Sequence, residues 1–299
     1  MNHTYALVIS VLCITSACIG QTQTSVLVAK NATVQLVSSD FKFTEGPAAD
    51  SDGNVYFTDQ PNDKIMKWSA ADGTISVFME NAGRSNGMFF DQQDNLYTCA
   101  DEKNQILMID RDKKVTVLVS DLEGKRLNGP NDLWVDKKGG IYFTDPFYKR
   151  DYWAHSEKEI EAENVYYLSP DRKKVSIAAA ELTQPNGIIG TPDGKKLYVA
   201  DIGARKTYSY RINEDGTLSD KKLFAEMGSD GVTLDSKGNL YLTGKGLTVF
   251  NPEGEKIETI AVDAPWTANA CFGGKDRKTL FITAGKSVYT LKMKVKGAY

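Results

Sequence analysis

Six short apolar segments recur along the chain, and in each of them a branched aliphatic residue precedes an aromatic one. The central aromatic residues are Tyr56, Tyr97, Tyr142, Tyr198, Tyr241 and Phe281. Consecutive members are 41, 45, 56, 43 and 40 residues apart. A period of about 40 residues made of β-type segments is typical of β-propellers, in which each repeat forms one four-stranded sheet. The pattern therefore predicts an all-β protein, a six-bladed β-propeller.

Further segments complete each repeat as a four-stranded unit. A strand before the aromatic segment is joined to it by a tight turn such as Asp52-Gly53, a pair that allows the positive φ of a hairpin. Two more strands follow in most repeats, but the last repeat lacks a clear fourth strand after Lys292. We expect the segment 32–37, near the N-terminus, to supply that strand, because a closed ring exposes no strand edge.

One polar residue stands 11 or 12 positions before the central aromatic residue of every repeat. All six carry a side-chain oxygen atom: Glu45, Asn86, Asn131, Asn186, Asp230 and Asn269. Equivalent positions of a closed ring face one axis, so we expect these side chains to meet at one end of the channel. A single Asn-Gly pair indicates only a turn, but the hairpin turns here lie at the opposite strand ends.

Three aromatic segments end in an aspartate. Asp59, Asp145 and Asp201 each follow the central aromatic residue by three positions, which predicts that they share the rim of the six polar residues. Asp101 comes one residue later, so its direction stays open. Unpaired anions at one rim repel each other, and raised pKa values or a bound cation relieve the repulsion. Oxygen ligands of this kind favour Ca²⁺, and less often Mg²⁺ or Mn²⁺.

Four short motifs carry a resemblance to a known family. They are Thr-Glu-Gly-Pro at 44–47, Asn-Gly-Pro-Asn-Asp at 128–132, Gln-Pro-Asn-Gly at 184–187 and Ser-Asp-Gly at 229–231. From about residue 40 to its end, the chain resembles the regucalcin/gluconolactonase (senescence marker protein-like) family of six-bladed propellers, related in architecture to diisopropylfluorophosphatase. The resemblance implies one divalent cation, Ca²⁺ first and otherwise Mg²⁺, Mn²⁺, Zn²⁺ or Fe²⁺. The ligands that it implies are Glu45, Asn131, Asn186 and Asp230.

The resemblance also implies a hydrolase of sugar lactones. A divalent cation would polarise the lactone carbonyl and activate water. Asp230 is the expected general base, with ligation of the cation alone as its alternative role. Asn86 and Asn128 are expected to hydrogen-bond the substrate, unless they only form turns. Two other functions stay open: hydrolysis of another electrophile, such as an aryl ester or phosphotriester, and a non-catalytic ligand-binding propeller with a structural cation.

One repeat contains an insertion at residues 146–163, which explains the longest spacing. It leaves the aromatic segment at the polar rim, where long loops commonly contribute to function. Its aromatic residues are candidates for covering a sugar ring, in particular Tyr148, Trp153 and His155, with Phe147 and Tyr152 beside them. The alternative is a surface loop whose aromatic residues pack on the neighbouring repeat.

Composition limits the choice of partners. The chain has 299 residues, of which 41% are hydrophobic and 25% charged, as in a soluble globular protein, and we expect one propeller domain over 25–299. A net charge of −3 gives no reason to expect nucleic acid or an anionic membrane as a partner. A small molecule is the expected partner, and the protein a monomer or small homo-oligomer. Cys99 and Cys271 lie two repeats apart, which predicts two buried free thiols.

The N-terminus differs from the rest of the chain. Residues 6–18 form an apolar run that ends in small residues and precedes a polar stretch. The run is too short to span a bilayer but suits the core of a secretory signal over 1–20. Residues 15–18 are similar to a bacterial lipoprotein cleavage box that ends at Cys18. We therefore expect an exported protein, either periplasmic or anchored by a lipid on Cys18, with a buried N-terminal strand as the alternative.

Overall fold

Six four-stranded antiparallel sheets make up the computed structural model, which describes Met1 and residues 25–299. The strands run in chain order from one blade to the next around the axis, as in a six-bladed β-propeller. The predicted signal segment 1–20 and Cys18 fall almost wholly outside the described residues, so export stays a prediction. Within the described part, no helix is long and apolar enough to cross a membrane.

The first three blades follow an N-terminal strand, β1 (Gln35–Ser38). Blade 1 consists of β2 (Thr44–Ala49), β3 (Val55–Asp59), β4 (Lys64–Trp68) and β5 (Ile75–Glu80), with a 3-10 turn at Gln60–Asn62. Blade 2 consists of β6 (Ser85–Phe90), β7 (Leu96–Ala100), β8 (Gln105–Ile109) and β9 (Val115–Val119). Blade 3 consists of β10 (Leu133–Val135), β11 (Ile141–Thr144), β12 (Val165–Leu168) and β13 (Val175–Ala179).

The remaining strands complete the ring. Blade 4 consists of β14 (Pro185–Gly190), β15 (Lys196–Asp201), β16 (Lys206–Ile212) and β17 (Leu218–Ala225). Blade 5 consists of β18 (Val232–Leu234), β19 (Leu240–Gly244), β20 (Gly246–Phe250) and β21 (Lys256–Ile260). Blade 6 consists of β22 (Asn269–Gly273), β23 (Thr279–Ala284) and β24 (Ser287–Lys292), to which β1 is added.

The N-terminal strand closes the ring. Strand β1 pairs antiparallel with β24, with Gln35 opposite Thr290 and Leu36 opposite Tyr289. It begins three residues later than the predicted segment 32–37, but it supplies the missing fourth strand as expected. Pairing with β1 covers the outer edge of β24 and joins the two ends of the chain in one sheet.

The recurring Asn-Leu-Tyr pattern has a structural cause at the hairpin turns. In blade 2, Asp91 Oδ1 accepts the N–H of Asn95 at 2.9 Å, and the hydroxyl of Tyr97 donates to Asp91 Oδ2 at 3.0 Å. Blade 5 repeats these bonds with Asp235, whose Oδ2 accepts the hydroxyl of Tyr241 at 3.0 Å. The central tyrosine thus packs its ring in the core and fixes the turn with its polar end.

The channel is apolar below the polar rim and closed at the far end. A cavity of about 70 Å³ lies on the axis, with Leu133, Ile188 and Val232 in its wall. Tyr299 closes it at the end of the hairpin turns, where its hydroxyl accepts the indole N–H of Trp134 at 3.0 Å. The six repeated polar residues lie at the opposite end of the axis.

The two cysteines beyond the N-terminal segment are both free thiols. Cys99 is fully buried, whereas Cys271 is only partly buried, so the expectation of two buried thiols is wrong for Cys271. Cys271 lies on β22 and its side chain contributes to the wall of the axial cavity.

Candidate active site at the propeller axis

Small residues bring the inner strands close enough for the six polar residues to meet. A Cβ atom on Gly46 would lie 1.9 Å from the backbone oxygen of Asn86 in the next blade. A Cβ atom on Gly231 would lie 2.1 Å from the side chain of Asn269 in the next blade. Only glycine permits this approach. The residue after Glu45, Asn86, Asn186 and Asp230 is glycine in each case, so these blades share the same close contact.

A continuous chain of hydrogen bonds runs through Asp230. Asn186 Nδ2 donates to Asp230 Oδ1 at 2.9 Å and also to the hydroxyl of Tyr148 at 2.9 Å. On the other side, Trp266 Nε1 donates to Asp230 Oδ2 at 2.6 Å. Both carboxylate oxygens of Asp230 are therefore held by N–H donors from two neighbouring segments. Sequence reasoning identified Asp230, Asn186 and Tyr148 but missed Trp266, which lies outside the repeated pattern.

The hydrogen bonds of Asn186 also orient its amide group. Both of them use Nδ2, and Oδ1 accepts no hydrogen bond from any residue within 25–299. The oxygen is therefore available to a ligand, whereas the nitrogen is not. This is the orientation that a metal-binding asparagine needs, because the amide oxygen is the donor to a hard cation.

Glu45 lies at the same point of the axis. Its side chain is buried and its Oε2 accepts the N–H of Gly46 at 2.9 Å. Burial raises the pKa of Glu45 well above its usual range, and the nearby negative charges of Asp230 and Asp132 raise it further. A hydrogen bond from the Asn269 side chain acts in the opposite direction. The four residues from blades 1, 3, 5 and 6 therefore share one small volume.

The other two carboxyl groups at the axis respond to burial in the same way. Burial raises the pKa of Asp230 to about 6, although the hydrogen bonds from Trp266 and Asn186 lower it. Burial raises the pKa of Asp132 to about 8, against hydrogen bonds from the N–H groups of Leu133 at 2.9 Å and of Ile188 at 3.4 Å. Asp132 was not among the predicted ligands. The sequence feature that could have identified Asp132 is its position directly after the repeated polar residue, where four other blades have glycine.

Asn131 and Asn86 present free amide groups. Both residues are buried, and Asn131 is fixed by its backbone, whose oxygen accepts the N–H of Gly87 at 2.8 Å. Neither side chain forms a hydrogen bond to another of the residues that the structure describes. Their amides are thus free to bind a cation or a substrate, as the sequence predicts for them.

A divalent cation fits this arrangement. Among residues 25–299, no three His, Cys, Asp or Glu side chains are arranged to hold a metal ion. The predicted set is of another kind, since it combines the carboxylates of Glu45 and Asp230 with the amides of Asn131 and Asn186. Glu45 is buried and Asp230 is partly buried, the two carboxylates repel one another, and neither forms an ion pair within the described part of the chain. A cation among these oxygens would offset that repulsion.

The three aspartates at the strand ends are not unpaired anions, contrary to the expectation from their position. Asp59 accepts the N–H groups of residues 42 and 43, Asp145 those of 128 and 129, and Asp201 those of 183 and 184. The distances from nitrogen to oxygen are 2.8–3.2 Å. Each carboxylate therefore braces the loop that leads into the inner strand, just before Glu45, Asn131 or Asn186.

Asn128 lies beneath the insertion. Its Nδ2 donates to the backbone oxygen of Ala162 at 3.1 Å, and its Oδ1 is buried without a hydrogen-bond partner among the described residues. The side chain is only 2% exposed. The predicted contact with substrate stays a prediction, and it requires access to that single free oxygen.

The insertion at 146–163 contacts two neighbouring blades. Tyr148 reaches Asn186 in blade 4, as described above. Trp153 is buried and donates its indole N–H to the backbone oxygen of Asp101 in blade 2, at 2.7 Å. His155 stacks on Trp153 with ring centroids 4.7 Å apart, and its Nε2 is buried without a partner in this part of the structure. Burial lowers the pKa of His155. Trp153 thus packs on the neighbouring blade, which was the alternative reading of the insertion.

Fold and site together define a class of protein: a six-bladed propeller with an oxygen-lined site at one end of its axis. Residues 43–286 match the family model described as the SMP-30/Gluconolactonase/LRE-like region. The chain belongs to this family. The resemblance noted from the four motifs is thereby confirmed.

Known relatives agree with this assignment. The gluconolactonase of Zymomonas mobilis is 30% identical over 295 residues, covering 88% of this chain and 82% of that protein. Diisopropyl-fluorophosphatase of Loligo vulgaris is 25% identical over 277 residues, covering 83% and 87%. The structure of a gluconolactonase from Xanthomonas campestris has a TM-score of 0.82 at 29% identity and covers 89% and 91%. A calcium-binding regucalcin from Agrobacterium tumefaciens, at 19% identity, shares the fold with a TM-score of 0.73 and covers 89% and 95%.

Proposed function

We propose that this protein hydrolyses sugar lactones at the axial site, in a gluconolactonase-like reaction that depends on a divalent cation. Its gluconolactonase relatives support the class of lactone hydrolase. The observation that carries the mechanism is the hydrogen bonding of the Asp230 carboxylate, which is held from both sides by Asn186 and Trp266 and lies next to the buried carboxyl group of Glu45.

The cation would be held by Glu45, Asn131, Asn186 and Asp230. When bound, it would polarise the lactone carbonyl and lower the pKa of water. Ca²⁺ is the ion that such a mixed carboxylate and amide set favours, and Mg²⁺, Mn²⁺, Zn²⁺ or Fe²⁺ are the alternatives. This choice rests on the chemistry of the donor atoms, and the regucalcin of similar fold is described as calcium-binding.

The side chains of the protein supply the proton transfer and the orientation. Asp230 acts as general base towards the attacking water, and its pKa of about 6 leaves it mostly ionised at neutral pH. Burial raises the pKa of Tyr148 to about 12, so its hydroxyl stays protonated. It donates a hydrogen bond to a substrate oxygen while it accepts one from Asn186 Nδ2. The free amide of Asn86 is a second contact for the sugar hydroxyl groups. Asn128 beneath the insertion and Trp153 and His155 within it are the remaining candidates for contact with the substrate.

Lactone turnover with and without the cation tests the proposal. We expect chelation to abolish hydrolysis of gluconolactone and added Ca²⁺ to restore it. Asp230→Asn should lower kcat by about 100-fold or more while the protein stays folded, because the amide cannot accept the proton. Asp220→Asn is the matched control, since Asp220 pairs with Arg211 on the surface. Full activity in metal-free protein would exclude the mechanism.

A second reaction at the same site is favoured by one relative. Diisopropyl-fluorophosphatase aligns over most of this chain, so a phosphotriester or an aryl ester is the alternative electrophile. A panel of lactones, aryl esters and phosphotriesters distinguishes the two by kcat/KM. If none is turned over although the cation binds, the propeller is a ligand-binding protein with a structural cation.

A further inference from the structure

Asp101 departs from the repeat that governs the other rim aspartates. In blades 1, 3 and 4 the aspartate lies three residues after the central aromatic residue and braces a loop that precedes an inner strand. In blade 2 that position is Ala100, and the aspartate follows one residue later, directly after β7. Asp101 therefore does not perform the repeated bracing role, and its contacts require another explanation.

Those contacts come mainly from the insertion of blade 3. Asp101 Oδ2 accepts hydrogen bonds from Arg150 Nε at 2.8 Å and from the hydroxyl of Tyr152. Gln60 Nε2 of blade 1 donates to the same oxygen at 3.1 Å, and Trp153 donates to the backbone oxygen of Asp101. The Asp101 side chain is only 3% exposed. One buried residue thus accepts hydrogen bonds from three side chains of the insertion, those of Arg150, Tyr152 and Trp153.

The surroundings of Tyr152 strengthen this attachment. The guanidinium of Arg84 lies 4.2 Å from the centre of the Tyr152 ring, and Arg84 Nη1 in turn donates to the backbone oxygen of Pro61 at 3.0 Å. Blades 1 and 2 therefore both contribute to holding the segment 150–153. Tyr148 lies two residues before Arg150, and its hydroxyl is the partner of the Asn186 amide.

We propose that Asp101 is a positioning residue for the reaction, which holds the segment 146–153 so that the Tyr148 hydroxyl fixes the Asn186 amide with its oxygen free. The effect on turnover rests on the proposed function, whereas the attachment of the segment does not. Asp101 itself touches no substrate. It acts on Tyr148 through Arg150 and Tyr152. The Asn186 amide hydrogen-bonds both Tyr148 and Asp230 and so connects Tyr148 to the proposed general base.

The other half of the insertion has a separate anchor and provides the matched control. Arg126 Nη1 pairs with Glu159 Oε1 at 2.8 Å, and the backbone N–H of Arg126 donates to Glu159 Oε2 at 2.8 Å. Glu159→Gln removes the charge from this second anchor and leaves Asp101 and its partners intact. It should loosen residues 157–161 without changing turnover.

Hydrogen exchange and kinetics together test the proposal. In Asp101→Asn, amide exchange in peptides covering 146–153 should become faster by about tenfold or more, because the ion pair with Arg150 is lost. The same variant should lower kcat/KM by about tenfold, since Tyr148 is displaced. Tyr148→Phe should reproduce the loss of turnover without the change in exchange. Arg150→Gln is the second variant if Asp101→Asn does not fold, and its effects should not add to those of Asp101→Asn.

The outcomes separate the two levels of the proposal. Unchanged exchange over 146–153 in both Asp101→Asn and Arg150→Gln would show that Asp101 does not hold the segment. Faster exchange with unchanged kcat/KM would show that holding the segment does not position Tyr148. If the wild-type protein turns over no lactone at all, the proposed function fails, and the exchange measurement still decides whether Asp101 holds the insertion.

Discussion

Trp266 donates its indole N–H to Oδ2 of Asp230 over 2.6 Å, although the residue is 42% exposed at the rim. The indole thus places a fixed donor on the carboxylate that we propose as both a ligand of the cation and the general base. Asn186 holds the other oxygen, so the carboxylate is oriented from two sides. A carboxylate held in this way loses little freedom when it accepts a proton from water.

Replacing Trp266 should therefore affect turnover more than stability. Trp266→Phe keeps an aromatic ring but removes the donor, and we expect kcat/KM to fall by about tenfold, within the range for one hydrogen bond to a charged group. The melting temperature should change little, because the residue is 42% exposed and phenylalanine retains an aromatic ring. Steady-state kinetics and thermal unfolding measure both. Equal kcat/KM in the variant would show that the bond does not orient the base.

Stability should depend on pH in opposite ways with and without Ca²⁺. The pKa values of Glu45, Asp132 and Asp230 are raised by burial, so their protonated forms favour the folded state. In chelated protein this contribution is complete below the unfolded values near pH 4 and is lost as the pH rises through about 6 and then 8. A bound cation needs the ionised carboxylates, so its stabilising effect should grow over the same range.

Thermal unfolding at pH 5 and pH 8, with chelator or with excess Ca²⁺, measures this dependence. We expect the increase in melting temperature on adding Ca²⁺ to be larger at pH 8 than at pH 5. Glu45→Gln should reduce that increase, since it removes one of the two charged ligands. An increase that does not depend on pH would contradict the assignment of these carboxylates to the cation site.

The close approach of the inner strands predicts a strong effect of one added methyl group. Gly231→Ala would place a Cβ atom 2.1 Å from Asn269, so a blade has to shift, and we expect a loss of about 2–3 kcal/mol in the free energy of unfolding. Gly124→Ala is the control, because Gly124 has a positive φ of 79° but no atom within 4 Å of the added Cβ. It should cost about 1 kcal/mol through backbone strain alone. Urea unfolding measures both, and equal losses would contradict steric crowding at the axis.

Export through the N-terminal segment can be tested on the mature protein. If Cys18 is lipidated, mass spectrometry of protein expressed from the full sequence in a diderm bacterium should find an N-terminus at a modified Cys18. Cys18→Ser should then release the protein from the membrane fraction. A periplasmic protein cleaved near residue 20 would favour simple secretion, and an intact N-terminus would contradict export.

The sequence by itself determined the repeat architecture and much of the site. The spacing of the central aromatic residues gave the number of blades, because each blade contributes one such residue to its core. The register of Glu45, Asn186 and Asp230 predicted their convergence, since equivalent positions in a closed ring face one axis. Both conclusions follow from periodicity, which a linear sequence records directly.

Contacts between distant segments were decided only by the tertiary structure. Trp266 and Asp132 lie outside the repeated polar position, so periodicity gave no reason to choose them. The rim aspartates were expected to be unpaired, but backbone N–H groups of loops 16 to 18 residues away satisfy Asp59, Asp145 and Asp201. The insertion is hydrogen-bonded to Asp101 of another blade through Arg150, Tyr152 and Trp153. Such pairings arise from packing once the ring has closed, and the spacing of the repeats does not by itself specify which groups pair.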